Sequence, residues 1–221
     1  MEQMTETPDI LKDSIDKYIE KISETHRMHR KIKFLLDIRG LLIINKIKGN
    51  YAEFGVFRGE MIYAASKILT NNIIKYIGLD TFTGLPGADK GDTDAFVFEE
   101  KGFMSSPKRF ALEMTKTANT HLIQGDFRDN SIKEEFAKHA DPLSVVSIDC
   151  NWLSSIKASF DMITPFLQCG SIIYIDDFFV STRKPNKVQF MLDEISKSHA
   201  IKFCEFMTYP PCGRAYIVEI S

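Results

Sequence analysis

Five times along this chain an apolar run of strand length stops on an acidic residue or a glycine and gives way to a helical pattern. Tyr51–Phe54 closes on Glu53 and Gly55, Ile73–Leu79 on Asp80, and Thr120–Gln124 on Gly125 and Asp126. Leu143–Ile148 closes on Asp149, and Ser171–Ile175 on Asp176 and Asp177. Strands that alternate with helices are joined by crossovers, and crossovers build a parallel sheet covered on both faces. Two further runs, Phe203–Met207 and Ala215–Ile220, are linked through Pro210-Pro211-Cys212-Gly213 and predict a hairpin. The expected fold class is α/β: a single Rossmann-like domain with a seven-stranded, mostly parallel sheet, a C-terminal antiparallel hairpin, and helices ahead of the first strand. In such open sheets ligands bind outside the carboxyl ends of the strands, where all of these acids fall.

Helical spacing fills the gaps at Glu60–Leu69, Lys108–Lys116, Ile132–Lys138, Ser154–Leu167 and Lys187–Ser198. Ahead of the sheet, Thr7-Pro8-Asp9 starts a helix whose face carries Leu11, Ile15, Tyr18 and Ile22. A second helix, His26–Ile47, places Met28, Ile32, Leu35 and Leu42 on one side, and its basic cluster from Arg27 to Lys33 reads as a solvated face. These two helices are candidates to cover the site, the sheet or a second subunit of a homo-oligomer. Residues 81–105 lack periodicity and mix Gly84, Pro86, Gly87, Gly91 and Gly102 with Phe82, Phe96, Phe98 and Phe103, the composition of a lid or binding loop.

At 221 residues the chain has material for one sizeable core. Its 28 basic and 30 acidic residues generate no general field that would draw nucleic acid or membrane. The apolar run Phe34–Ile47 is broken by Asp37, Arg39 and Lys46 and is too short to span a bilayer. Cys150, Cys169, Cys204 and Cys212 show neither metal-ligand nor CxxC spacing and read as reduced thiols, and Met1–Pro8 lacks a secretory apolar core. The expected location is cytoplasmic.

The strand ends carry the chemistry. Tyr51–Gly59 turns through Gly55 into a helix, which brings backbone N–H groups close to a ligand. Asp80 follows Gly59 by 21 residues, the place where doubly wound folds put an acid that accepts from both ribose hydroxyls of a nucleoside. Glu53-x-Gly55-x-x-x-Gly59 has one tight glycine fewer than the dinucleotide pattern, and its acid would repel a pyrophosphate but attract the ammonium of a methionine moiety. S-adenosylmethionine is therefore the expected cofactor. Asp126 is placed to accept from an adenine amino group with Phe127 beside the base, or to cap the next helix.

Asp149, Asp176 and Asp177 converge if their strands are neighbours, and unit like charges ~4 Å apart at an effective dielectric of ~20 repel by about 4 kcal/mol per pair. Something positive should sit there, and oxygen ligands favour Mg²⁺ or another hard divalent cation, with Asn151 as a neutral oxygen nearby. Such a cation beside a methyl donor would hold an acceptor hydroxyl in line with the methyl group. The histidines fall in no motif, and His121 and His139 read as structural or exposed.

On Ala52-Glu-Phe-Gly-Val-Phe-Arg-Gly59, Asp80-Thr-Phe-Thr-Gly-Leu-Pro86, Gly102-x-Phe103, Gly125-Asp126, Ser147-Ile-Asp149 and Gly170-x-Ile-Ile-x-Ile-Asp-Asp177, the chain resembles the macrocin O-methyltransferase family of class I S-adenosylmethionine-dependent enzymes. The resemblance runs from about Tyr51 to Glu194. It implies a methyltransferase domain at 49–221 after a helical extension at 1–48, and transfer of a methyl group to a hydroxyl of a small molecule such as a sugar or sugar-bearing natural product. It also implies Asp149, Asp176 and Asp177 as catalytic magnesium ligands. The implied donor contacts are Glu53, Gly55, Phe57, Arg58, Gly59, Asp80, Thr81, Phe82, Gly125, Asp126, Phe127 and Asp149. Where the family pattern runs Asp-x-Asp-x-Tyr-x-Ser-Thr, this chain has Asp149-Cys-Asn151-Trp-Leu153-Ser-Ser-Ile156, and Phe178 stands where tyrosine is common. The alternatives are a catechol-like or nitrogen acceptor, a nucleotide-dependent oxidoreductase, and a donor-binding protein without catalysis.

Overall fold

The computed structural model describes residues 17, 28–89, 92, 101–102, 104–116, 118–179 and 187–220. The first predicted helix, apart from a helical Lys17, lies outside the described residues, as do Phe96, Phe98 and Phe103 of the aperiodic stretch. Helix α1 covers residues 28–44. It leads into β1 (Gly49–Phe54), α2 (Glu60–Ile68), β2 (Ile73–Asp80), α3 (Lys108–Thr115) and β3 (Thr120–Gln124). Then follow α4 (Asn130–Ala137), β4 (Leu143–Ile148), α5 (Leu153–Ile163), β5 (Leu167–Ile175), α6 (Lys187–His199), β6 (Ile201–Tyr209) and β7 (Gly213–Ile220). The strands form one sheet in the order β3-β2-β1-β4-β5-β7-β6, parallel from β3 to β5, with β7 antiparallel to both its neighbours. This is the predicted architecture.

Alternation along the strands sorts side chains into two layers. Phe54, Ile148, Ile173 and Ile175 pack with Phe136 of α4, Phe160 of α5 and Leu192 of α6. Tyr51, Val145, Ile172 and Tyr174 pack with Phe34, Leu35, Ile38 and Leu42 of α1, Ile62 of α2 and Ala111 of α3. The same parity extends past the strand ends. One residue beyond Ile148 and Ile175, Asp149 and Asp176 fall on the α1 side, the side that Glu53 takes between Ala52 and Phe54.

Register levels the strand ends. Phe54 pairs with Leu79 and Ile148, Leu79 with Ile123, and Ile148 with Ile175. Asp80, Asp126, Asp149 and Asp176 therefore line one rim. Gly55 makes that rim possible: its φ is +93°, and a Cβ there would stand 1.9 Å from the Asp149 carbonyl oxygen.

Two expectations are corrected. The predicted face of the second helix included Ile32, which is 37% exposed; the buried stripe runs through Lys31, Phe34, Leu35, Ile38 and Leu42. The predicted helix to Leu167 stops at Ile163, because a 3-10 turn at Thr164–Phe166, with a proline at its start, feeds directly into β5, four residues before Ser171. The described part of the stretch after β2 is tied to the rest of the fold: Trp152 Nε1 donates to the Pro86 carbonyl (3.1 Å), and Arg128 Nη1 to that of Gly87 (3.1 Å). Among the described residues no helix is long and apolar enough to cross a membrane.

Candidate functional site

Two clefts open side by side above the rim. The first, of about 610 Å³, is lined by Gly55, Phe57, Asp80, Thr81, Gly84, Leu85, Pro86, Met104, Asp126, Phe127, Asp149, Cys150, Asn151 and Ser155. The second, of about 710 Å³, is lined by Met28, Arg30, Lys31, Glu53, Glu60, Asp176 and Asp177 among others. Gly55, Phe57, Met104, Asp149 and Asn151 border both, so the clefts communicate across the end of β4. Phe57, Met104 and Asn151 share a left-handed backbone (φ 52°, 57° and 55°), as does Phe82 (57°), and non-glycine residues hold that conformation only where their surroundings fix it.

In the first cleft, Asp80 accepts through Oδ2 from the Phe57 N–H (2.8 Å) and through Oδ1 from the Phe82 N–H (2.6 Å). Each oxygen keeps a lone pair for a ligand donor. Burial raises the Asp80 carboxyl above its ordinary range, and the backbone donors oppose that shift. Thr81 Oγ1 donates to the Gly84 carbonyl (2.6 Å) and tightens the turn that walls the cleft. Phe127 lies edge-on to Phe54 (centroids 5.4 Å, 89°). A diol-bearing nucleoside fits the donor chemistry of this cleft.

Other predicted contacts are placed differently. Asp126 lines the cleft, but Arg128 grips it as a fork, with Nε at 3.0 Å from Oδ1 and Nη2 at 2.6 Å from Oδ2. Burial would raise the Asp126 carboxyl, and Arg128 more than offsets this and holds it low. Arg58 is exposed with its guanidinium 4.9 Å from the Phe57 ring centre, and it borders neither cleft. Phe82 is buried in the core and contributes its N–H. Gly59 caps α2 in a left-handed conformation, and Gly125 gives Ile132 room to pack, since a Cβ would lie 2.3 Å from Ile132 Cδ1.

Asp149, Asp176 and Asp177 come together as the sequence led one to expect, with one oxygen of each within 4.8 Å of the others. Among the described residues, the positive charge against Asp149 and Asp176 comes from α1. Arg30 donates to Asp176 through Nε (2.8 Å) and Nη2 (2.6 Å), and Tyr174 Oη donates to the same carboxylate. The Lys31 ammonium bonds Asp149 Oδ2 and lies 3.6 Å from Asp176 Oδ2. Lys31 is 7% exposed. The basic cluster read as a solvated face is thus corrected at both residues: the helix face that carries Phe34 and Leu35 into the core carries Lys31 with them. Burial would lower the Lys31 ammonium, and Asp149 and Asp176 more than reverse this, so it stays charged. Burial would also raise Asp176, but Arg30 holds it below its usual range.

Glu53, predicted to meet a cationic ligand, is buried on the same side and accepts from Tyr51 Oη (2.7 Å). Burial pushes its carboxyl up to about 8, against the pull of Tyr51 and Lys31. The sequence signal that could have found Lys31 is its spacing, because a lysine four residues before Leu35 and seven before Ile38 sits on a buried stripe. Arg128 had the weaker signal of following Asp126 by two residues.

The carboxylates do not fit a resident divalent ion in this arrangement. Their ligand atoms are already taken up: Lys31 bonds Asp149 Oδ2 and Arg30 bonds both oxygens of Asp176, so an ion would have to displace both cations.

No family model matches the chain, and no curated protein matches it. Solved structures share its architecture. The O-methyltransferase NovP superposes with a TM-score of 0.67 at 16% identity, over 85% of this chain and 79% of its own. The calicheamicin methyltransferase CalS11 gives 0.64 at 17%, over 97% and 94%. An O-methyltransferase from Bacillus cereus in complex with SAH gives 0.56 at 12%, over 97% and 93%. At these identities the likeness is one of fold, and the chain has the Rossmann-like fold of these methyltransferases.

Proposed function

We propose that this chain is an enzyme that transfers the methyl group of S-adenosylmethionine to a hydroxyl oxygen of a small molecule, a sugar or sugar-bearing natural product. The observation that carries the reading is the pair of clefts meeting at Asp149, one with a diol acceptor in Asp80 and the other open to a polar substrate. The sequence resemblance to macrocin O-methyltransferases supports the same acceptor class. So does the description of the neighbour CalS11 as a TDP-rhamnose 3'-O-methyltransferase, although that substrate is said of CalS11 alone.

S-adenosylmethionine supplies a methyl group on a cationic sulfur, so the acceptor oxygen gains a C–O bond as the C–S bond breaks and sulfur keeps the electron pair. Asp80 holds the ribose hydroxyls with the lone pairs that Phe57 and Phe82 leave. Phe127 and Asp126 border the base, and Glu53 faces the ammonium of the methionine end. Asp149, at the junction, accepts a hydrogen bond from the acceptor hydroxyl through Oδ1 and takes its proton as the new bond forms. Tyr174 and Arg30 keep Asp176 in place behind it. No step is assigned to a divalent ion. The four cysteines are free, in keeping with a cytoplasmic setting.

Calorimetry with S-adenosylhomocysteine, followed by methyl transfer from labelled donor to a panel of sugars and glycosides, tests the reading. Saturable binding and a methyl ether product are expected. NAD(P)H binding with no S-adenosylhomocysteine binding would replace it with an oxidoreductase, and an N-methyl product would replace the acceptor class.

A further inference from the structure

The strand-end carboxylates and the helix that covers them point to something the sequence pattern did not contain. We propose that Lys31, with Arg30, is the built-in cation of Asp149 and Asp176, standing where the pattern assigns a divalent ion to these carboxylates, so that the reaction proposed above needs no dissociable metal. The inference rests on that reading for its consequence in catalysis, but the charge arrangement stands without it.

Lys31 is not a surface lysine that has drifted onto an acid. It is buried, and its helix is locked in register by the contacts that follow it. One turn on, Phe34 stacks on Tyr174 (centroids 4.7 Å) and meets Tyr209 edge-on (5.7 Å, 87°). Tyr209 Oη then donates to Asp37 Oδ2 (3.0 Å). Tyr174 sits two residues before Asp176 on the same strand face, so the contact that fixes α1 also fixes the height of Lys31 above the carboxylates. Arg30 uses both its Nε and Nη2 on Asp176, a planar two-bond grip that a hydrated ion would have to displace.

The sequence departs from the family pattern at the same place. Asn151 stands where the pattern has its second aspartate, and it borders both clefts. One carboxylate fewer near the junction lowers the demand for a doubly charged partner, and a lysine supplies the single charge that remains useful. In this role Lys31 is a positioning residue: it orients Asp149 through Oδ2 and sets a positive charge between that carboxylate and Asp176.

Titration of the full chain with Mn²⁺, read by the electron paramagnetic resonance of free Mn²⁺, tests this without any need for turnover. The wild type is expected to show no stoichiometric site up to millimolar Mn²⁺, and its methyl transfer to be insensitive to excess chelator. Lys31→Met should gain one Mn²⁺ per chain with at least tenfold tighter binding, and Mg²⁺ should restore part of its lost turnover. Lys31→Arg, which keeps the charge, should like the wild type show no stoichiometric Mn²⁺ site. A wild-type protein that binds one Mn²⁺ at micromolar concentration, and loses it in Asp149→Asn, overturns the proposal. So does a folded Lys31→Met protein that gains no site. If Lys31→Met fails to fold, the wild-type titration still decides. Absence of S-adenosylhomocysteine binding would remove the methyl-donor reading and leave the metal titration interpretable.

Discussion

Asp80 and Asp176 each close a parallel strand of the same sheet and each is fixed by two or more donors, but the donors come from different distances along the chain. Asp80 takes one N–H from two residues ahead and one from the turn after the neighbouring strand, and Asp126 is held by Arg128, again two residues ahead. Asp176 is held by Arg30, 146 residues away, and Asp149 by Lys31, 118 residues away. The donor-side half of the rim is therefore completed by the βα units themselves. The acceptor-side half is complete only when α1 docks, so its charge balance depends on tertiary packing. Loosening α1 should harm one half and spare the other.

The comparison can be broken in order of expected effect. Asp149→Asn should lower turnover by ~10²–10⁴-fold while S-adenosylhomocysteine affinity is kept, since the lost group acts on the acceptor proton; steady-state rates beside calorimetry check the split. Arg30→Met leaves Asp176 buried with one strong partner fewer and should cost about 3 kcal/mol of stability, seen as a lower urea midpoint. Equal midpoints for Arg30→Met and wild type would mean that α1 docks without this pair. On the donor side, Asp80→Ala should weaken S-adenosylhomocysteine by about 2–3 kcal/mol, roughly 30- to 150-fold, with a smaller effect on the urea midpoint than Arg30→Met.

Glu53 sharpens the comparison through pH. Its folded carboxyl, facing Tyr51, Lys31, Asp149 and Asp80, is pushed by burial from an ordinary 4.5 to about 8. Between those values the native chain keeps a proton that the unfolded chain has lost. Stability from this group is therefore full below 4.5 and drains as pH rises to 8, by up to about 1.4 kcal/mol per pH unit. Urea unfolding at pH 5.5 and 8 should show a flatter dependence in Glu53→Gln, and an unchanged slope would place the charge elsewhere. The smallest effect belongs to Lys33→Met. Lys33 is paired with Asp37 at 2.8 Å on the exposed side of the same helix, and its loss should shift stability by less than about 0.5 kcal/mol.

Much of the fold was legible because its signals are local. β3 and β4 have the predicted limits, Asp80 and Asp149 end their strands as expected, and the hairpin follows its proline-glycine turn. The errors were also local in origin. The helix ahead of β5 was drawn too long because a 3-10 turn keeps a nearly helical spacing, and Ile32 was placed inside because one turn of apolar pattern does not fix the phase of a whole helix. Trp152, Arg128 and Tyr174 have roles at the rim that only their partners reveal.

The order of residues by itself determined that strands alternate with helices, that the first five run parallel, and that acids crowd one end of them. A period of two or of 3.6 is written into neighbouring residues and needs no distant partner. Folding in three dimensions decided which charges face those acids. A lysine is solvated or buried according to which side of its helix docks, and the attraction between Lys31 and Asp149 depends on their separation in space, which sequence distance does not set.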